Sequence, residues 1–355
     1  MSVARRDALR RLMSADIPGL LVTVLPNIRY LSGFSGSNAA LFVSRDDPSR
    51  DLICTDGRYL TQVGRECPDL PVHQDRSCAI ALVARLAGEG LSSIGVDDQI
   101  PVLLERELGK LLSVVATSGL IEQLRVIKDH HELELLTRAG AITAEAMAQL
   151  LRELRVGMTE IYAARRLEQL FGELGAEDRA FETIVATGSN SAIPHHQPTS
   201  RSLASGELLV IDAGAMVAGY HADMTRTVLV GADPEPWQLE IYGLVAAAQL
   251  AGAKACASAV PLKTIDAAAR SIIEDAGYGR EFGHGLGHGV GLEIHEAPMI
   301  NARSTGTLSP NTPVTIEPGI YLPDQGGVRI EDTLVVESKE SRVLTELARE
   351  LVVVG

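Results

Sequence analysis

The spacing of apolar and polar positions changes along the chain, and the change divides it. Residues 19–24, 39–43, 51–55, 94–96 and 112–116 are short runs rich in Leu, Ile, Val and Ala, which predict strands. Residues 77–89 and 101–110 carry helical spacing between them. A first amphipathic surface helix is expected where Leu9, Leu12 and Met13 share one face. Strands alternating with helices predict an α/β domain, assigned to residues 1–124, with a junction at 121–128. Within it, residues 27–38 are rich in Gly and Ser and are expected to form a loop, suited to cover a site elsewhere.

From 125 to 355 the pattern is of another kind. Four helical stretches come in two pairs, 130–154 with 159–174 and 236–256 with 262–276, and residues 156–164 align with 260–268. Each pair leads into two strand-like segments joined by a turn. A reversal at Val217-Ala218 would set Asp212 opposite Asp223. A reversal centred on Asp324 would set Glu317 opposite Glu331. The unit of helix, helix and acidic hairpin thus occurs twice, which predicts an α+β domain with an internal pseudo-twofold repeat.

Acids facing each other across a hairpin repel unless something neutralises them. Each of the four follows an apolar strand residue or a small one, so solvated exposed positions are the weaker alternative. A source of further ligands lies between the hairpins. Residues 282–296 hold His284, His288 and His295 with glycine on both sides of the first two. That many glycines weaken a core strand or helix, whereas they let imidazoles come close to a small object. Imidazole is the commonest side-chain metal ligand. No Glu follows His284 directly, so the helical two-histidine zinc motif is excluded. Four carboxylates and an imidazole over-supply one divalent ion and suit two ions that share carboxylates.

Composition adds limits. The chain has 355 residues, 46% of them hydrophobic, and a net charge of −14. That balance argues against nucleic acid as a partner. No run long and apolar enough for a membrane span occurs, and the basic start lacks the apolar stretch of a secretory signal. Cys54, Cys67, Cys78 and Cys256 have no metal-type spacing and are read as reduced thiols in a cytoplasmic protein.

Taken together, Ile211-Asp212-Ala213-Gly214, Asp223-Met224-Thr225-Arg226-Thr227, the 284–296 run, Ile316-Glu317-Pro318-Gly319-Ile320-Tyr321 and Gly326-Gly327-Val328-Arg329-Ile330-Glu331-Asp332 resemble the pita-bread metallopeptidases acting at Xaa-Pro bonds, aminopeptidase P and prolidase. The resemblance extends to a creatinase-like amino-terminal domain. It implies metal ligands Asp212, Asp223, His288, Glu317 and Glu331, all present, holding two divalent ions, Mn²⁺ first and Co²⁺ or Zn²⁺ as alternatives. It implies a catalytic set of His195, His284, His295, Glu317 and Arg329. Glu317 would shuttle the proton, His284 and His295 would meet the substrate carbonyl, His195 would bind substrate, and Arg329 would lie beside the site. His196 is read as an exposed loop residue, and His73, His130, His131 and His221 receive no role. The complete ligand set separates the chain from creatinase and from non-catalytic interaction proteins of this fold, which stay as an alternative of another class. Proline-containing peptides are the expected partners, and a homodimer the expected assembly. The short two-domain length and Thr55-Asp56-Gly57-Arg58-Tyr59 favour aminopeptidase P, with dipeptidase as the alternative.

Overall fold

The computed structural model describes residues 2–355, which fold as two compact units divided between Arg125 and Val126. In the first, helices α1 (Ser2–Leu12), α2 (Leu25–Ser32), α3 (Leu60–Glu66), α4 (Cys78–Gly88), α5 (Val102–Leu108) and α6 (Leu120–Val126) accompany strands β1 (Gly19–Val22), β2 (Ala39–Ser44), β3 (Leu52–Thr55), β4 (Val72–Gln74), β5 (Ser93–Val96) and β6 (Ser113–Ala116). The strands form one mixed sheet in the order β4-β3-β2-β1-β5-β6. Phe42, Leu82 and Ile94 lie in its core, packed to zero exposure.

The loop expected at 27–38 is helical in its first half. Pro26 sits in the first turn of α2, and Gly33 closes the helix at a φ of 87°. Pro at the start and Gly just past the end are helix signals, and the serines and glycines beyond them obscured the pair. The short elements α3 and β4 were not expected either, because neither carries enough apolar residues to show a period.

The second unit contains α7 (His130–Glu153), α8 (Glu160–Glu173), β7 (Asp178–Arg179), β8 (Ile184–Thr187), β9 (Leu208–Ala213), β10 (Ala215–Val217), β11 (Tyr220–His221) and β12 (Met224–Val230). There follow α9 (Pro236–Ala255), α10 (Leu262–Asp275), β13 (Gly287–Gly289), β14 (Glu296–Ile300), β15 (Pro313–Ile316), β16 (Gly319–Leu322), β17 (Gly326–Arg329), β18 (Asp332–Val336), β19 (Ser341–Val343) and β20 (Val353–Val354). Two main sheets result, β20-β12-β9-β8 and β14-β13-β15-β18-β19. One core joins α7 and α8 to the first sheet through Met147, Leu167, Phe171 and Ile211. A second joins α9 and α10 to the other through Val245, Ile265, Ile316 and Leu334. Helix pair, sheet and core therefore each occur twice, as the internal repeat requires.

The two hairpins differ in how they meet the expected register. The second keeps it: Gly319 pairs with Arg329 and Ile316 with Asp332, which leaves Glu317 and Glu331 opposed in the gap between the two ladders. The first is shifted by two residues. Its turn is Ala218-Gly219, both with positive φ (48° and 75°), so Val217 pairs with Tyr220 and Asp212 faces Thr225 instead of Asp223. Positive φ at both central positions is the hairpin turn whose twist matches the strands, and an alanine there hid it. A slip of two keeps the same face inward, and Asp212 and Asp223 line the same cavity.

Candidate metal centre and active site

Both hairpin ends and the glycine-rich run open into a cavity of about 530 Å³. His288 sits at the middle of β13, between Gly287 and Gly289, so the run is strand at its centre. The strand is possible only because both neighbours lack a side chain. A Cβ on Gly287 would lie 1.9 Å from the Thr315 carbonyl oxygen, and one on Gly289 would lie 2.2 Å from that of Ala297. Close packing of β13 against β14 and β15 is what brings the imidazole to the acids.

His288 is fixed at two points. Its N–H donates to Thr315 Oγ1 at 3.0 Å. Its Nδ1 lies 3.0 Å from the Gly289 carbonyl, which can only accept, so the proton is on Nδ1. Nε2 then presents its lone pair 3.6 Å from Asp223 Oδ2 and 3.5 Å from Glu317 Oε1. Burial holds the ring neutral, with its pKa lowered to about 4. Ligand atoms of Asp223, His288 and Glu331 all lie within 4.8 Å of one another.

The carboxylates are in an unstable electrostatic state as they stand. Burial pushes Asp223 well above the usual range, and Glu331, Asp212 and Glu317 push it further. Glu331 moves the same way, through burial and then Glu317 and Asp212. Burial raises Glu317 to about 8, against the pull of Arg329. Asp212 Oδ1 and Glu331 Oε1 are buried without a hydrogen-bond partner among the described residues. Orphaned buried carboxylate oxygens aimed at a common point are what a cation would satisfy. Asp223, His288 and Glu331 thus form a cluster whose chemistry fits a divalent ion, and Asp212 and Glu317 line the same cavity.

Arg329 is the cation supplied by the chain itself. It is buried, and its charge is held despite that burial by Tyr321, Asp212 and Glu331. Nη2 donates to Asp212 Oδ2 at 2.8 Å, Nε to Thr225 Oγ1 at 3.0 Å, and Nη1 to Tyr321 Oη at 2.9 Å and Pro194 O at 3.3 Å. Thr225 Oγ1 passes its own proton to Glu331 Oε2 at 2.7 Å. Behind the acids, buried Arg226 donates to the Glu331 carbonyl at 2.6 Å, to Asp332 Oδ1 at 2.8 Å, and to Leu347 O and Ala348 O in the final segment of the chain. Arg349 also reaches Asp332. Thr225 and Arg329 thus each hold one carboxylate oxygen from outside, on Glu331 and Asp212, the kind of contact that orients ligands in metal sites.

The histidines divide into two kinds. His284 is committed: Nδ1 donates to Gly285 O at 2.8 Å, and Nε2 accepts from Tyr321 Oη at 3.0 Å. His195 and His295 line the same cavity with exposed rings. The His295 ring packs edge-on against His288 with centroids 4.4 Å apart. Burial and then His195 lower its pKa, against Asp212. His196, expected to be exposed, is not: its side chain is 9% exposed and bonded to Glu160. Tyr321, Thr225 and Thr315 were given no role by sequence reasoning, although all three lie within or beside the quoted motifs.

Residues 134–338 match the model of metallopeptidase family M24. The chain belongs to that family. Residues 5–127 match the creatinase/prolidase N-terminal domain, so both parts of this M24 member have known counterparts. A curated relative, the Xaa-Pro dipeptidase of Pyrococcus horikoshii, is 35% identical over 340 residues, 95% of each chain. The Xaa-Pro dipeptidase structure from Bacillus anthracis superposes with a TM-score of 0.95 at 35% identity, covering 100% of both chains. The X-Pro aminopeptidase structure from Thermotoga maritima gives 0.90 at 33% identity, covering 98% of this chain and 99% of the other. The two-unit pita-bread architecture expected from the sequence is the one these relatives have, and an enzyme family answers the alternative of a non-catalytic interaction protein.

Proposed function

We propose that this M24 member is an Xaa-Pro dipeptidase that hydrolyses the bond between an amino-terminal residue and a following, terminal proline. The observation that carries the reading is end-to-end similarity to proteins bearing that name, supported by a cavity that all five candidate ligand residues line. It replaces the expectation of an aminopeptidase. Two divalent ions, manganese first, would be held by Asp212, Asp223, His288, Glu317 and Glu331. When bound they supply Lewis-acid polarisation of the scissile carbonyl and a nucleophilic water at neutral pH.

The chain's own residues do the rest. Glu317, which burial raises to about 8 before any ion is bound, faces the cavity where it can take up a proton from the attacking water. His295 and His195 have rings open to the cavity and can donate to the substrate where negative charge develops. His284 acts through Tyr321, whose hydroxyl it orients. Arg329 holds Asp212 and does not compete for substrate. Proline fits because its tertiary amide has no N–H to satisfy.

Arg329 also motivates the second reading, aminopeptidase activity. It is the one Arg or Lys among the described residues lining the cavity, and each of its nitrogens already donates. A dipeptide's free carboxylate would have to be received by neutral donors of the lining, such as its histidines, Gln197 or Asn301. The test is hydrolysis of Ala-Pro against Ala-Pro-Ala with added Mn²⁺. The dipeptidase reading expects Ala-Pro to be the better substrate, and preference for the tripeptide would overturn it. We infer a cytoplasmic homodimer as the working form; the buried free thiols fit a reducing compartment, and sedimentation of the active enzyme tests the dimer.

A further inference from the structure

The segment that carries His195 is held by a group remote from the ligands. Glu160 opens α8 and has zero exposure. Its Oε1 accepts from the Thr187 N–H and from Asn190 Nδ2, each at 2.9 Å. Its Oε2 accepts from His196 Nε2 and the Thr199 N–H, each at 2.9 Å, and from Thr199 Oγ1 at 2.7 Å. Five donors converge on one carboxylate, and all belong to residues 187–199. A buried acid with this many donors stays ionised: the hydrogen bonds lower its pKa although burial, the largest single influence, raises it. The helix does not need it as a cap, since Thr159 Oγ1 already accepts from the Tyr162 N–H, and burying a carboxylate carries a desolvation cost that a neutral side chain would avoid.

What it holds is specific. His195 makes no side-chain hydrogen bond among the described residues, so its place over the cavity is set by its neighbours. On one side the Pro194 carbonyl is fixed by Arg329. On the other, the His196 ring is fixed by Glu160. Further back, Ser191 Oγ accepts from the Gly327 N–H at 2.8 Å, tying the segment to β17. Of these ties only the Glu160 contacts come from outside the acidic hairpins.

We propose that Glu160 is the positioning residue for His195, fixing the 187–199 segment at five points so that this imidazole is presented to substrate in one orientation. The inference rests on the role given to His195 above. Misplacing a substrate-positioning group by about 1 Å costs up to about 10²-fold in activity.

The experiment is a double-mutant cycle with Glu160→Gln and His195→Ala, read as kcat/KM on Ala-Pro with Mn²⁺, beside metal content and thermal midpoint. Gln keeps the size but turns an amide N–H₂ toward donors. The expected result is a loss of about 10–100-fold for Glu160→Gln alone, an unchanged metal content, and little further loss when His195 is already alanine. Equal losses in both backgrounds, or metal loss in parallel, would overturn the proposal. If Glu160→Gln does not fold, Thr199→Val removes one donor from the exposed rim, and the same non-additivity is expected on a smaller loss. A readout independent of catalysis separates this inference from the functional reading. In zinc-loaded protein the His195 ring NMR signal, assigned by its loss in His195→Ala, should broaden or split in Glu160→Gln. An unchanged signal sinks the positioning role even if the enzyme proves to be an Xaa-Pro peptidase.

Discussion

At the scale of single residues, His288 and His295 show how two imidazoles in one run acquire different work. His288 has its proton fixed on Nδ1 and its lone pair turned to two carboxylates. His295 has an exposed ring that faces the cavity. His288→Ala is therefore expected to lower metal content, with partial rescue by excess Mn²⁺. His295→Ala is expected to keep the metal and lose about 10²–10³ in turnover, as removal of a donor to developing charge does. Metal analysis beside steady-state kinetics separates the two, and equal metal loss in both variants would end the division of roles. The candidate residues themselves were legible because metal and acid–base chemistry draws on few side-chain types. Their supports were not. Thr225, Thr315 and Glu160 are ordinary in a strand or a helix's first turn, and only the folded chain reveals what their oxygens face.

At the scale of elements, β13 is a tight fit between its two neighbouring strands. Gly287→Ala puts a methyl against the Thr315 carbonyl at 1.9 Å and is expected to cost about 1–3 kcal/mol. Gly283→Ala, in the same run, meets nothing within 4 Å and should stay within about 0.5 kcal/mol of the parent. Denaturant unfolding of both variants tests the contrast, and equal costs would refute it. The same run explains a limit of reading sequence. Glycine density argued against a strand, yet the strand exists because three strands, β14, β13 and β15, approach too closely for Cβ atoms. The hairpin registers make the complementary point. Asp324 adopts a φ of 62° and marked its turn well, so the second register was legible. Ala218 adopts 48° with no residue type to announce it, and the first register came out two residues away. The long helices were legible almost to their ends, because α7, α8, α9 and α10 each bury a periodic apolar face and begin or end on clear caps.

For the molecule as a whole, the acids set how stability depends on pH. Without metal, Glu317 keeps a proton up to about 8 when folded, against an ordinary 4.5. The folded state then binds more protons than the unfolded one, so stability falls as pH rises through that window. Asp223 and Glu331 are raised and act in the same direction. His288, lowered to about 4 from 6.5, acts oppositely, but only below 6.5. The chelated protein should thus lose thermal stability between about pH 6.5 and 8 while the Mn²⁺-loaded protein does not, and metal binding there should release protons. Thermal scans with and without chelator, and calorimetry in buffers of different ionisation enthalpy, check both. A flat or rising midpoint for the chelated protein would contradict the assignment. One more consequence follows from Arg226, which grips the backbone of Glu331 with one nitrogen and the carbonyls of Leu347 and Ala348 with the others. Glu331 and residues 347–348 are thereby tied through a single guanidinium. Such a tie works in both directions: the tail that steadies Glu331 is itself steadied when a cation does so, and its amides should exchange with solvent more slowly in the loaded enzyme.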